Sequence, residues 1–560
     1  MNTTSAHSRQ SELVVRIAQA ASRLPDAGDG LWFHNDIRNN FYYASYLFAY
    51  AVGPYPGEVL PLSREAAKAQ AASVLLAVLR LQDQAPASST YGHWPLGLRP
   101  TPREAKPHVL PVELMGSLMV YFRERYDAEL EGELREAIDT ALRHVYRSGF
   151  YRVPMQHYHH HEAKYTAAKL IFGSRYDDRE LLEDGVRSLE ATLAFVRRYG
   201  MVEYGALPWF WHWVQAFTCA WELIAEPSIK RTLAELLDVL WRERAQFYLQ
   251  GTWVGAQSRG WPHDMPRDGN VLFDYVQFGG FQLPEAMPRT EYAGFLYYPA
   301  PEDALHLAVD RQQPVEVTKS VPRTAAAPED KLHSYVYITS SYAAGGIWER
   351  VQEFDNEQHR WDVTLPLDSA GPEPGINQAY FYHPADASAG EGAAPGDPRH
   401  QTRYAEVLFD RNVILAVYPI PDTEPGRVLG VLPKGTWQQD GQSLYVHVPG
   451  GSGVYFAVHL LQPFRIEEAS DRLNVISEGR PNAVVVEALD VPEARALGLA
   501  DLAAFAADRS SRKPVFTAGE ELGIRYTGVL GREQVLQLAE DGTLHRMVDG
   551  QPIDFTVYRP

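Results

Sequence analysis

The sequence YRVPMQHYHHHEAKYTAAKLIFG, residues 151–173, places a histidine cluster at the start of an amphipathic segment. Its apolar side chains recur at helical spacing up to Gly173, which predicts a helix over residues 164–172. Imidazole titrates nearer to neutral pH than other side chains, so the cluster favours proton transfer or metal ligation over a solvated His-rich turn. The cluster contains His157, His159, His160, His161, Glu162, Lys164 and Tyr165.

Helical periodicity extends on both sides of this cluster, over residues 1–300. The connections are short and usually contain glycine or proline, as in YGHWPLGLRP at 91–100. Such helices pack as antiparallel hairpins, which assemble into a bundle, a solenoid or a closed toroid. No fixed-period repeat is present, which disfavours the solenoid. The predicted helices cover residues 11–24, 40–52, 63–81, 112–125, 129–146, 164–172, 179–199, 210–224 and 229–249.

The period changes from helical to alternating in residues 301–560. Strand-like stretches such as HSYVYITSSY and GVYFAVHLL are separated by turns containing DG, GG or PGG. Many strands without intervening helices predict an antiparallel sandwich or a barrel-like domain. We expect one helical interruption at 492–507 and surface loops at 383–401 and 316–330. The chain thus divides into two predicted domains, 1–300 and 301–560.

The composition is that of a globular protein and excludes several partners. A chain of 560 residues is too long to fold around one compact core, so we expect two or more domains. The net charge of −19 argues against nucleic-acid binding, which requires a basic surface. The single cysteine, Cys219, cannot form an internal disulfide, and neither a signal peptide nor a membrane span is recognisable. We therefore expect a cytoplasmic protein without a membrane partner.

Aromatic residues are abundant and often stand beside polar ones. The chain has 31 tyrosines and 12 tryptophans. A sugar stacks its apolar ring faces on aromatic side chains while its hydroxyls need hydrogen-bond partners, so this pattern favours a carbohydrate ligand. The alternative is that the aromatic residues fill helix interfaces.

Four segments supply candidate site residues. The polar stretch before the second helix offers Asn39 and Asn40, one of which could be only a helix cap. The turn EYGALPWFWHW at 203–213 resembles the mouth of a sugar cleft, and its alternative is a helix start with core tryptophans. The loop at 252–270 is too polar for a packing role, and Arg259 is its best carboxylate ligand. The strand at 353–366 could aim side chains at the helical domain, or expose a plain polar face. The last three segments contribute Glu203, Tyr204, Trp209, His212, Gln257, Arg259, His263, Asp264, His359 and Trp361.

Metal binding is considered and not favoured. His157 and His161 are four residues apart, a spacing that can ligate zinc on a helix. The HExxH pattern fails, however, because Tyr165 stands where its second histidine should be. A calcium loop at 264–270 lacks the full ligand spacing. We expect no cofactor, with zinc or calcium as the less favoured alternative.

A YHHHE segment, an EYxxxPW turn and a QSRGWPHD loop followed by an all-β half resemble the heparinase II/III-like and alginate-lyase-like polysaccharide lyases. The resemblance covers nearly the whole chain and implies an α+β multidomain fold. Its N-terminal part would be an (α/α) toroid of helical hairpins, and its C-terminal part an antiparallel β-sandwich. In this group an asparagine, glutamine or arginine neutralises the uronate carboxylate, and histidine and tyrosine act as base and acid.

Carried onto this chain, the resemblance implies β-elimination of uronic-acid-containing oligo- or polysaccharides. Arg259 or Gln257 would stabilise the enolate, since charge develops on the carboxylate in the transition state. His160 or His161 would act with Tyr204 or Tyr292, and Glu203 would orient a histidine. The group's Asn-His dipeptide is missing here, which leaves the base open between the two histidines.

Two alternatives remain at this point. A glycoside hydrolase would use Glu203 and Asp264 as paired carboxylates at a separation of roughly 5 to 9.5 Å. A non-catalytic carbohydrate-binding protein would have no turnover to lose. In every case the expected partner is an oligo- or polysaccharide, and a homo-oligomer is compatible with the sequence.

Overall fold

The protein is described from a computed structural model. The residues described are 3–55, 60–258, 267, 269–285, 290–350, 359–370, 375–384 and 404–560, with side chains omitted at 3, 4 and 370. Helices dominate the part before residue 310 and antiparallel strands the part after it, which confirms the predicted fold class. The domain boundary at residue 300 stays a prediction.

The helical part contains a two-residue β-ribbon between its third and fourth long helices, and another after its ninth. All nine predicted helices are present, with ends within a few residues of the predicted ones, except that the first begins eight residues earlier. The elements are α1 (Thr3–Ser22), α2 (Ile37–Val52), α3 (Arg64–Leu79), β1 (Trp94–Pro95), β2 (Pro107–His108), α4 (Val109–Arg125), α5 (Gly132–Ser148), α6 (His160–Arg175), α7 (Arg179–Tyr199), α8 (Leu207–Leu223), α9 (Pro227–Gln246), β3 (Tyr248–Leu249), β4 (Thr252–Trp253), α10 (Leu272–Gln277) and α11 (Glu302–Val309).

The helices form two layers. α2, α4, α6 and α8 are buried over most of their length, and each contacts the next along the layer. α3, α5, α7 and α9 bury one stripe and pack outside them. This arrangement follows from the sequence, since an all-round apolar helix is stable only when covered on every side. It is the hairpin arrangement of an incomplete (α/α) toroid.

The segment 290–298 fills the gap between α2 and α8. The hydroxyl of Tyr46 accepts a 2.8 Å hydrogen bond from the Gly294 amide, and its ring stacks on Phe295 at 4.4 Å. At the α8 side, the Tyr297 amide donates to Glu222 at 3.0 Å. These contacts join the first and last inner helices through a non-helical segment.

The described residues of the C-terminal part form three antiparallel sheets. The elements are β5 (Val315–Pro322), β6 (Lys331–Ile338), β7 (Ala343–Ile347), β8 (Trp361–Thr364), a 3-10 turn (Leu367–Ala370), β9 (Gln378–Tyr382), β10 (Glu406–Asp410), β11 (Val413–Tyr418), β12 (Arg427–Pro433), β13 (Thr436–Asp440), β14 (Ser443–Val448), β15 (Val454–Leu460), β16 (Phe464–Glu468), β17 (Arg472–Glu478), β18 (Asn482–Asp490), α12 (Val491–Ala496), α13 (Leu502–Ser510), β19 (Val515–Ala518), β20 (Leu522–Thr527), β21 (Glu533–Leu538), β22 (Leu544–Val548), β23 (Gln551–Pro552) and a second 3-10 turn (Phe555–Val557). The strand orders of the sheets are β10-β11-β18-β15-β14-β13, β16-β17-β12-β9-β8-β7-β6-β5 and β19-β20-β21-β22-β23.

Strand β6 belongs to both hydrophobic cores. Val336 and Ile338 join the core of the helical part, whereas Tyr335 and Tyr337 join the core between the six- and eight-stranded sheets. Successive side chains of a strand point to opposite faces, so one strand can seal both cores. The eight-stranded sheet is therefore the layer that attaches the helical part to the sandwich.

One expected surface loop differs from the prediction. Residues 316–322 of the predicted loop at 316–330 belong to strand β5, which pairs with β6 along its whole length. Its polar residues alternate with Val315, Val317 and Val321, a pattern that supports an edge strand. The helical interruption is two short helices, α12 and α13, and the expected loop at 383–401 lies almost wholly outside the described residues. Across the described helices, none is both long and apolar enough to cross a bilayer.

Candidate functional site

The N-terminal turns of the four inner helices meet at one end of the helical ring. His160 is the first residue of α6, and Trp209 near the start of α8 stacks on its ring. Glu113 in the first turns of α4 bonds to His161. Arg38 of α2 is close enough to Lys164 for its positive charge to lower the pKa of that lysine. Helix N-termini carry partial positive charge, and at this end they hold the carboxylates of Asp36 and Glu203.

His160 and Glu203 form a buried pair at the centre of this end. Nδ1 of His160 bonds to Oε1 of Glu203, and the His160 backbone amide donates to Oε2 at 2.9 Å. The indole of Trp213 donates a further bond to Oε2 at 3.0 Å. Both oxygens of Glu203 are therefore occupied, and the predicted orienting role of Glu203 matches its contacts.

The charges of this pair are set by burial and by each other. Burial lowers the pKa of His160 to about 4, although the charge of Glu203 opposes this shift. Burial would raise the pKa of Glu203, but its interactions with His160 hold that pKa below its ordinary value. At neutral pH the pair is thus a neutral imidazole and a carboxylate. Because Glu203 accepts the Nδ1 proton, Nε2 of His160 is the nitrogen left with a lone pair.

Two aromatic rings fix the plane of the His160 ring. Trp209 stacks on it at 4.1 Å with an angle of 13° between the planes, and His212 stacks at 5.4 Å. The predicted residues Trp209 and His212 thus lie beside His160. A ring held on its face by stacking and at Nδ1 by a carboxylate presents Nε2 in one direction.

A second histidine–glutamate pair lies next to the first. Nδ1 of His161 is 2.8 Å from Oε2 of Glu113, and the rings of His160 and His161 are 4.1 Å apart. Lys164 lies 2.6 Å from the same oxygen, and the Tyr165 hydroxyl donates to Oε1 at 2.6 Å. We refer to His160–Glu203 and His161–Glu113 as the paired dyads.

Lys164 neutralises a carboxylate that is fully buried. The side chains of Lys164 and Glu113 are 2% and 0% exposed. Burial would raise the pKa of Glu113, yet the Lys164 ammonium and His161 lower it to about 2. Burial lowers the pKa of Lys164, while Glu113 opposes this and Arg38 adds to it. Sequence patterns do not reveal this ion pair, because Glu113 and Lys164 are far apart in the chain.

The remaining residues of the cluster build the loop before α6. Glu162 accepts hydrogen bonds from the amides of Gln156, His157 and Tyr158, at 2.7–3.1 Å. His159 caps the helix. His157 precedes α6, so it does not share a helix face with His161, which is the arrangement considered for zinc. In the described part of the chain, no group of three His, Cys, Asp or Glu side chains is arranged to hold a metal ion.

Short hydrogen bonds connect the paired dyads to the two later segments. Both the amide and the hydroxyl of Ser258 donate to the carbonyl of Gly205, at 2.6 and 3.0 Å. Gly205 has a φ of +148°, and a Cβ there would collide with Trp253. The backbones of Gln257 and His359 then exchange hydrogen bonds of 2.8 and 3.0 Å. The segments around 160, 205 and 257, together with residue 359, therefore lie in one continuous layer.

A group of buried polar side chains continues from Gln257. His359 is 2% exposed, and its Nε2 lies 3.4 Å from Oδ2 of Asp362. Within the described residues, Oε1 of Gln257 and both carboxylate oxygens of Asp362 have no hydrogen-bond partner. Buried acceptors are costly unless paired, so this group is prepared for donors such as sugar hydroxyls or an additional segment.

Four predicted residues have other surroundings. Asn40 is fully buried, and its side chain bonds to the backbone of Trp32 and Phe33. Tyr292 is fully buried among α2 aromatics, with its hydroxyl 2.8 Å from Ser45, and burial raises its pKa. Trp361 packs in the sandwich core. Asn40 and Tyr292 are 0% exposed and Trp361 is 3% exposed, so this burial does not support the expected contacts with substrate. Tyr204 packs with Ala256 and Val321 where helices meet sheet.

Asn39 is the partly exposed neighbour of Asn40, and it is not the α2 cap. Asp36 caps this helix, and its carboxylate also holds the Arg38 guanidinium. The predicted residues Arg259, His263 and Asp264 lie outside the described residues. Sequence reasoning missed Glu113 and Asp362, and it gave Lys164 no role beyond membership of the histidine cluster. A single glutamate within an otherwise apolar run of the sequence was the available signal for Glu113.

Comparison with known proteins gives structural matches only. No protein-family model matches the chain, and no curated protein does. Among solved structures it is similar to a chondroitin AC lyase of Streptomyces coelicolor A3 in complex with chondroitin sulphate (TM-score 0.48, 10% identity, 95% of this chain and 84% of that chain). It is also similar to a heparinase III (TM-score 0.42, 8% identity, 94% and 84%) and to the heparan sulfate lyase HepC of Pedobacter heparinus (TM-score 0.35, 9% identity, 97% and 95%).

Proposed function

We propose that this protein cleaves uronate-containing oligo- or polysaccharides by β-elimination. The observation that supports it most is the His160–Glu203 pair, a neutral imidazole whose Nε2 is unprotonated and which lies where the N-termini of the inner helices meet. Elimination needs a base for the proton beside the uronate carboxylate and a group that stabilises that carboxylate. His160 supports the first requirement, and Arg259 remains the expected group for the second.

His160 is the base in this proposal. Its Nε2 takes the proton from the carbon next to the uronate carboxylate, and Glu203 stabilises the imidazolium that forms. The electron pair of the broken C–H bond forms the ring double bond as the bond to the glycosidic oxygen breaks. The departing oxygen takes a proton from an acid on the enzyme. The products are an unsaturated uronate and a new reducing end.

His161 is the acid in this proposal. It is adjacent to His160, its side chain is 31% exposed, and its Nδ1 lies 2.8 Å from Oε2 of Glu113, which orients the ring. Tyr204 is one of the two tyrosines that the sequence suggested as partners of the histidines, and its burial at the sheet interface makes it the less favoured donor. Lys164 and Arg38 are already paired with Glu113 and Asp36, so Arg259 remains the expected carboxylate ligand.

The paired-carboxylate hydrolase is less well supported. Such an enzyme needs one carboxylic acid that is protonated at working pH and a second carboxylate with a free oxygen. Glu203 has both oxygens engaged, and its pKa lies below the ordinary value. A purely binding protein would have no need of a base oriented by a buried carboxylate.

One incubation separates these functions. Uronate-containing oligosaccharides are digested while ultraviolet absorbance and reducing ends are followed together. Elimination raises both in equal molar amounts, because each cleavage creates one conjugated double bond and one reducing end. Reducing ends without absorbance would establish hydrolysis instead, and no change in either with any uronate substrate would refute the enzymatic proposal. His160→Gln is the control that must abolish the signal.

We further propose that the protein acts in the cytoplasm on imported oligosaccharides. The expectation rests on the single cysteine, which cannot form an internal disulfide and suits a reducing compartment. Cell fractionation tests it: recovery of the protein in the culture medium or periplasm would contradict a cytoplasmic site of action.

A further inference from the structure

A second cavity opens at the end of the helical ring opposite the paired dyads. Its volume is about 470 Å³, within the range of small-ligand sites. The last turns of α4 and α8 and the residues just after α2 line it, together with α1, α9 and the closing segment 290–298. The residues that matter for its chemistry are Tyr55, Arg125, Tyr126, Trp221, Glu222 and Lys230.

Two cations face this cavity without a carboxylate partner of their own. Among the described side chains, neither Arg125 nor Lys230 forms an ion pair, and Lys230 instead lies 4.7 Å above the ring of Trp221. Both cations act on Glu222, whose carboxylate accepts a hydrogen bond from the Tyr297 amide. Two positive charges against one buried carboxylate leave the cavity with a positive balance.

Aromatic rings form much of the remaining wall. Tyr55, Tyr126, Trp221 and Tyr297 are all partly exposed, and they line the cavity from four different parts of the chain. Tyr297 also packs edge-on against His7 at 5.6 Å. Rings of this kind hold the apolar faces of a flat, hydroxylated ligand, and the carboxylate of Glu222 accepts from its hydroxyls.

We propose that this cavity is a second saccharide site that binds an acidic sugar residue. The acid group would bind Arg125 and Lys230, a hydroxyl would bind Glu222, and the ring would lie against the tyrosines. The C-terminal ends of α4 and α8 repel an anion, so the affinity depends on the two cations. The choice of a sugar rests on the proposed function, whereas the preference for an anion rests on the cavity alone.

Fluorinated tryptophan gives one reporter for each site. The protein is labelled with 5-fluorotryptophan, and the signals of Trp221 and Trp209 are assigned from the variants Trp221→Phe and Trp209→Phe. D-Glucuronate is then titrated, with D-glucose as the neutral comparison. We expect the Trp221 signal to shift when glucuronate is added. Glucose should bind at least about tenfold more weakly, because it lacks the carboxylate that makes a charge-assisted contact.

Variants identify the groups responsible. Arg125→Gln should weaken the glucuronate response of Trp221 at least about tenfold and leave that of Trp209 unchanged. Arg103→Gln, at an exposed arginine remote from the cavity lining, should change neither. An unresponsive Trp221 signal, or one unaffected by Arg125→Gln, overturns the inference. If Trp221 responds as expected but digestion gives no unsaturated product, the second site stands and the proposed function fails.

Discussion

The backbone amide of His160 donates a 2.9 Å hydrogen bond to Oε2 of Glu203, 43 residues further along the chain. The same carboxylate bonds Nδ1 of the His160 ring and the Trp213 indole. One glutamate thus fixes the first turn of α6, the orientation of an imidazole and the start of α8. The predictions below test whether this arrangement serves catalysis, stability or both.

Replacing Glu203 by Gln should abolish most of the activity and preserve the fold. The amide keeps the shape of the side chain but no longer selects the His160 tautomer with a free Nε2. General base catalysis contributes about 10²–10⁴-fold, so we expect a loss of kcat/KM in that range, measured by ultraviolet absorbance. Glu190→Gln, on the exposed face of α7, is the matched control. Unchanged activity in Glu203→Gln would rule out the His160–Glu203 pair as the base.

The stability of the protein should fall between neutral and mildly acidic pH because of His160. Its pKa is about 4 in the folded protein and higher in the unfolded chain, so the unfolded state binds more protons between these values. Stability therefore falls as pH decreases from about 6.5 towards 4, by about 1.4 kcal/mol for each unit of pKa difference.

Urea unfolding at pH 7.5 and 5.0 measures this effect. Other buried histidines contribute to the pH dependence, so the comparison is between wild type and His160→Gln. The variant should lose less stability between the two pH values. An equal loss in both proteins would show that His160 does not titrate in this range.

Lys164 should stabilise the folded protein only because Glu113 is charged. Lys164→Met leaves a fully buried carboxylate without its cation, and we expect a loss of about 3–5 kcal/mol in the free energy of unfolding. The double variant Glu113→Gln/Lys164→Met removes both charges and should recover most of that stability. Additive losses in the double-mutant cycle would contradict a direct ion pair.

The two neighbouring asparagines should behave differently. Asn40→Ala removes three hydrogen bonds to the buried backbone of residues 32 and 33 and should destabilise the protein by about 2–4 kcal/mol. Asn39→Ala should change stability by less than about 0.5 kcal/mol, as at ordinary surface positions. Thermal unfolding distinguishes them, and equal effects would contradict the structural assignment of Asn40.

His161 and Tyr204 can be separated as proton donors by a leaving-group test. If His161 is the acid, His161→Gln should lose about 10²–10⁴-fold in kcat on natural oligosaccharides and far less on a substrate with a good phenolic leaving group. Tyr204→Phe should show no such dependence on the leaving group. The reverse pattern would assign the acid to Tyr204.

Local sequence determined much of the architecture. The helices were predictable because α3, α5, α7 and α9 each repeat apolar residues on one stripe, and the strands because apolar side chains alternate. The YHHHE segment and the EYGALPWFWHW turn indicated His160, Glu203, Trp209 and His212 as candidate site residues, and these four lie together in the fold. Each of these is a short-range pattern, and such patterns survive in the sequence because they arise from the geometry of single elements.

The tertiary structure alone decided which of these side chains meet. Glu113 and Lys164 form an ion pair between two helices. Of the two adjacent asparagines, Asn40 is buried and bonds to the backbone of the loop before α2, whereas Asn39 is partly exposed, because of how α2 packs on that loop. Tyr292 and Trp361 look like ligand residues in the sequence and are core residues in the fold. Burial, charge pairing and the convergence of helix N-termini are properties of residues distant in sequence, and a linear pattern of residue types does not encode their distances.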